Sequence, residues 1–133
     1  MVKNVQFINP ESWPRPRGYS NGVVAEGHVL AVAGQIGWDE CGEFVSDDFL
    51  DQAAQALRNV VAIVRAAGGT PENIVRITWY VTDKHEYNAA LSALGSAYKE
   101  IIGTHYPAMT LVVVAALLED RAKVEIEATA VLP

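Results

Sequence analysis

The chain has 133 residues, half of them hydrophobic and 20% charged, with a formal net charge of −6. That length fits one domain, and the apolar content is enough for a core and too high for a disordered chain. Sixteen acidic residues against ten scattered basic ones disfavour a nucleic-acid partner, since phosphate backbones are held by clustered Lys and Arg.

The opening stretch, MVKNVQFINPESWP, has no apolar segment of the kind a signal peptide requires. No apolar run reaches the roughly 20 residues of a membrane span, so a cytoplasmic protein with no membrane partner is expected. Residues 5–8 read as a short edge strand ended by Asn9-Pro10. A Pro- and Arg-rich loop follows, from Trp13 to Tyr19, whose ring and Gly residues argue for a shaped, irregular segment. Residues 23–25 and 28–33 read as two strands around a tight turn at Glu26-Gly27. Cys41-Gly42-Glu43 reads as another turn. Cys41 is the one cysteine; it has no disulfide partner and no basic neighbour in sequence, which makes it an inert thiol.

Helical spacing begins at Leu50 and continues through Ala53, Ala54, Leu57, Val60, Val61 and Val64. Asp47 or Asp48 is placed to cap this helix, and Gly68-Gly69 with Pro71 ends it. Residues 74–81 form a β-branched and aromatic strand. Asp83 caps a second helix running to about residue 102, with Tyr87, Leu91, Leu94, Tyr98 and Ile101 on one face. Residues 109–118 are almost all apolar, which suits a strand buried on both faces. Residues 123–131 alternate, with Val124, Ile126, Ala128 and Ala130 on one face and Glu125, Glu127 and Thr129 on the other.

Crossovers of this length place both helices on one face of the sheet. The other face would then expose the apolar 109–118 strand, and so short a chain has no third layer to cover it. Self-association is the natural solution. No Gly-rich loop opens a helix after a strand, and the three histidines show no metal-ligand spacing. Neither a zinc site nor a nucleotide-phosphate site is expected from these residues.

In this order the segments resemble the RidA family (also called YjgF/YER057c/UK114). Gly18-Tyr19-Ser20-Asn21-Gly22 is similar to the family's Gly-Pro-Tyr-Ser-x-Gly loop, and Ala33-Gly34-Gln35-Ile36 to its Ser-Gly-Gln-Ile. Thr78-Trp79-Tyr80-Val81-Thr82-Asp83 matches Thr-x-(Phe/Tyr)-Val-x-Asp. Tyr106-Pro107-Ala108 and Val124-Glu125-Ile126-Glu127-Ala128 match the closing signature. The resemblance implies that residues 1–133 form a single RidA-like domain of chorismate-mutase-like α/β (α+β) fold, a mixed sheet with two helices on one face. It implies a homotrimer with a central β-barrel and clefts at the subunit interfaces. It also implies a small-molecule substrate: enzymes of the family hydrolyse enamines or imines to ketoacids and ammonia without a cofactor. An Arg after Pro-Ala holds the substrate carboxylate, and a Glu of the closing strand places water. Glu125 matches that Glu.

The position of the Arg is Met109. A guanidinium presents a fork of donors to a carboxylate, whereas a thioether is uncharged and a weak acceptor. Losing such a buried pair costs about 2–5 kcal/mol. The resemblance therefore implies a RidA-like cleft of altered specificity. Arg17 has two readings, a solvated loop arginine or a cation that enters the cleft in place of the missing one. Met109, Trp38 and Tyr19 would otherwise make the pocket more apolar, suited to a larger, aromatic-derived substrate. Gly34 and Gln35 shape the cleft backbone.

Glu125 and Glu127 share a strand face, and paired carboxylates can raise one pKa for acid–base work; the alternative is an ordinary solvated face. Three functions stay open: hydrolysis of an imine or enamine with Glu125 handling water, non-catalytic binding of a small acid or ketone, and an endoribonuclease or translation-inhibitor role, against which the acidic charge argues.

Overall fold

The computed structural model describes residues 4–133; the part of the N-terminal reading that rests on residues 1–3 lies outside them. The elements in order are β1 (Val5–Ile8), β2 (Gly22–Ala25), β3 (His28–Gln35), α1 (Phe49–Ala66), β4 (Ile74–Val81), α2 (Lys84–Ile101), β5 (Ala108–Val113) and β6 (Val124–Leu132), with a short 3-10 turn at Pro71–Asn73 before β4. Four strands form a mixed sheet in the order β3-β6-β4-β5. β6 is antiparallel to both its neighbours, and β4 and β5 are parallel.

Local chemistry sets the helices. The Asp48 carboxylate accepts from the Asp51 amide at 3.0 Å and so caps α1. Asp83 caps α2 by accepting from the His85 and Glu86 amides at 2.8 and 3.0 Å. Of the two acids proposed for the first cap, Asp47 instead pairs with Arg121 at 2.9 Å. α1 buries Ala53, Leu57, Val60 and Val64 against Val124, Ile126, Ala128 and Ala130 of β6, all at or near zero exposure. α2 packs beside α1 on the same face of the sheet. The alternation of β6 thus separates a dry face from one carrying Glu125, Glu127 and Thr129, as its sequence requires. Among the described residues no helix is long and apolar enough to cross a membrane.

Two expectations are corrected. Residues 23–25 and 28–33 do not pair with each other: β2 pairs with β1, and β3 with β6. Gly27 redirects the chain between them at φ +143°, and a Cβ there would collide with the Leu132 carbonyl. The second correction concerns the apolar 109–118 run. Its strand ends at Val113, because the β4 strand it follows ends at Val81, and within the chain it is a sheet edge. Val112, Val113 and Leu118 are exposed, Leu118 to 94%.

Candidate functional site

Apart from Trp38, the site residues singled out in the sequence fall into two groups on opposite sides of the sheet. The first is built on β5. Residues 109 and 111 of β5 pair with Ile77 and Trp79, so Met109 and Leu111 point to the helix side. The loop before β2 is fastened over this strand. Ser20 donates its amide to the Pro107 carbonyl at 3.0 Å and its hydroxyl to the Tyr106 carbonyl at 2.7 Å, and bridges to Ala108. The Asn21 amide is held in turn by the Asn9 carboxamide at 2.8 Å. These bonds deliver Arg17 and Tyr19 to a cavity of about 570 Å³ that Met109 also lines.

The remaining walls are Trp79 of β4, Tyr87, Leu91, Leu94, Gly95 and Tyr98 of α2, and Tyr106. Tyr98 is locked: its hydroxyl donates to the His105 carbonyl at 2.6 Å, and its ring stacks on Tyr106 at 5.4 Å. Burial pushes the Tyr98 hydroxyl well above the usual phenol range and raises that of Tyr87 as well. Both stay protonated, and Tyr98 is a donor, to the His105 carbonyl. Among the described residues that line the cavity, Arg17 is the only charged one. Such a chamber suits a ligand with one anionic end and a large apolar body.

The second group lies on β3 and β6. β3 bulges between Val32 and Gln35, placing Gly34 beside Glu125. Glu125 projects from the sheet face opposite the helices. Its carboxylate has no hydrogen bond or ion pair among the described residues. Tyr80, directly across from Glu125 on β4, donates its hydroxyl instead to Glu127 at 3.1 Å. That bond to an anion raises the Tyr80 pKa, with desolvation and the charges of Glu127 and Glu125 adding to it. Gln35 spends its amide on the Ala33 carbonyl at 3.0 Å.

Trp38 joins neither group. It sits beyond the end of β3, its ring 6.0 Å from Phe44 and its carbonyl held by Asn59 at 2.9 Å. Cys41 is exposed and free. Among the described residues no three His, Cys, Asp or Glu side chains gather as a metal site would require. Sequence reading missed the part of α2 in the cavity. The spacing of Tyr87, Leu91, Leu94 and Tyr98 was legible as a helix face, but periodicity does not distinguish a face packed on a core from one lining a void. The one available signal was Gly95, a glycine in the middle of that face.

A mixed sheet with both helices on one side, a loop tyrosine pinned over an edge strand and a glutamate on the open face define an α+β protein of the Rid type. The chain belongs to that family: the family model described as Endoribonuclease L-PSP matches residues 12–132. It is similar to YyfB of Yersinia pestis, a protein of unknown function of the conserved Rid protein family, with a TM-score of 0.84 and 36% identity over 97% of this chain and 99% of that one. It resembles E. coli TdcF, whose structure holds bound serine, with a TM-score of 0.68 and 34% identity over 96% and 99% of the two chains. A 2-iminobutanoate/2-iminopropanoate deaminase of Salmonella typhimurium is 39% identical over 105 residues, 79% of this chain and 80% of that protein.

Proposed function

We propose that this chain hydrolyses the C=N bond of an imine, or of the imine tautomer of an enamine, in a cleft completed by a second copy within a homotrimer. One observation carries the reading. Arg17, Tyr19 and Met109 line a cavity on the helix side of β5, at one edge of the sheet. Glu125 and Gly34 stand on the opposite face toward the other edge. One chain does not bring both groups to one substrate, whereas the cavity of one copy set against the open face of the next does. The exposed apolar residues Val112, Val113 and Leu118 supply surface for such an assembly.

In this reading the cavity binds the substrate and Glu125 of the adjoining copy accepts a proton from water. The water oxygen adds to the imine carbon and the nitrogen is protonated. The carbinolamine then expels ammonia as the C–N bond breaks and C=O forms. Imine plus water gives ketone plus ammonia, with no change of oxidation state. Met109 supplies no charge for a carboxylate, so the specificity departs from that of relatives with Arg at this position.

Ammonia release from a panel of imines generated in solution tests the proposal. Glu125→Gln should lower turnover by about a hundredfold or more, the scale of a lost general base. If no imine is turned over while 2-oxoacids still raise the melting temperature, the protein is a non-catalytic binder, a reading the apolar cavity also favours.

A further inference from the structure

Gly95 lies inside α2, where glycine is a poor helix former. Its backbone is not in the left-handed region, and nothing stands within 4 Å of where its Cβ would be. Neither conformation nor packing calls for a glycine there. The space it leaves belongs to the cavity.

We propose that Gly95 is the specificity-determining residue of an apolar subsite that receives an aromatic or large branched group of a carboxylate ligand, with Arg17 meeting the anionic end. The inference rests on the reading of this cavity as one half of the substrate cleft and names what it selects. Leu91 and Leu94 of α2 and Trp79 of β4 wall the subsite, and Tyr98 makes one side of it rigid. A rigid wall keeps the space open without a ligand, so little ordering cost offsets the gain from burying a ring. Charge complementarity fixes the other end: among the described residues lining the cavity, Arg17 is the one cation and none is a carboxylate.

The test is calorimetric titration of the intact protein with pyruvate and with phenylpyruvate, two 2-oxoacids that differ by one phenyl group. Wild type should bind phenylpyruvate about tenfold tighter or more, the affinity equivalent of burying one ring. Gly95→Leu should erase that preference, bringing the ratio of the two Kd values to about one, because it fills the subsite. Arg17→Gln should weaken both ligands by about tenfold, the scale of a lost charge-assisted hydrogen bond, and keep their ratio. Gly95→Ala, which meets open space, should retain the fold and lose part of the preference, and it serves if the leucine variant does not fold. Equal binding of the two acids by wild type, a preference that survives Gly95→Leu, or an Arg17→Gln variant that binds as wild type overturns the proposal. Ammonia release separates this from the broader reading: turnover of small imines without an aromatic preference removes only the subsite, and an aromatic preference without turnover removes only the hydrolysis.

Discussion

The carboxylate of Glu125 lies where any side chain at Gly34 would have to begin. The two residues sit on neighbouring strands, β6 and β3, at the bulge that shifts their register. The colliding atoms all belong to the glutamate side chain, which can swing aside without moving the backbone. Gly34→Ala should therefore fold normally and displace only the carboxylate. Misplacing a catalytic group by about 1 Å can cost on the order of a hundredfold, so ammonia release should fall by about tenfold or more while the melting temperature changes little. Unchanged turnover would remove Glu125 from the chemistry.

Gln52 explains how the start of α1 is fixed to the chain on either side of it. It is fully buried, donates to the Ser46 and Arg121 carbonyls at 3.0 Å each, and accepts from the Lys123 amide at 2.9 Å. Gln52→Leu has the volume to fill the site but leaves three backbone groups without partners. The expected loss is about 2–4 kcal/mol, read as a lower urea midpoint with an unchanged m-value. A variant as stable as wild type would show that solvent replaces the clamp.

The fold was legible where one local rule decided the outcome. Asp48 and Asp83 announce the helix starts, and the alternation from Val124 to Ala130 marks which face of β6 is dry. It was not legible where a distant contact decides. A turn at Glu26-Gly27 between two strands reads as a hairpin, but the Leu132 carbonyl against Gly27 sends the chain into another sheet. The length of the apolar run after Met109 exceeds its strand because β4 ends at Val81. Site residues were found by matching motifs, which says nothing of direction. Hence Met109 and Glu125 proved to lie on opposite faces, and Trp38 apart from both.

His105 makes stability depend on pH. Its Nε2 lies 2.7 Å from the Ile74 carbonyl, which can only accept, so Nε2 carries the hydrogen in the neutral ring. Burial lowers its pKa below the ordinary 6.5, more than the Ile74 bond and the charge of Glu72 raise it. The unfolded chain therefore takes up the proton first. Stability is full above about pH 6.5 and falls as the pH drops toward the folded pKa. Urea unfolding between pH 8 and 5 should show this decline, and His105→Gln, which can donate to Ile74 without titrating, should flatten it. Asp83 acts in a separate, lower window. Hydrogen bonds from the α2 amides depress its pKa below 3.8, so its stabilisation is lost only as the pH falls through that lowered value.

In α2, Gly95→Ala should raise stability by about 0.5–1 kcal/mol, the ordinary difference between glycine and alanine in a helix interior. No atom within 4 Å opposes the added methyl group. The melting temperature should rise by a few degrees. A fall would mean that the cavity wall is occupied by something a single chain does not contain.

Met109 and Arg17 line one cavity from different elements, β5 and the loop before β2. If the anion-binding role has moved from position 109 to Arg17, an arginine returned to position 109 competes with Arg17 for the same carboxylate and, with its fork held on a strand, grips it better. Met109→Arg should then tighten pyruvate by about tenfold, the scale of one charge-assisted bond, and make Arg17→Gln nearly silent in that background. The coupling energy from the four titrations of this double-mutant cycle measures the exchange directly. Additive effects would mean that the two positions bind separate parts of the ligand, and no gain from Met109→Arg would mean that the carboxylate does not lie against β5 at all.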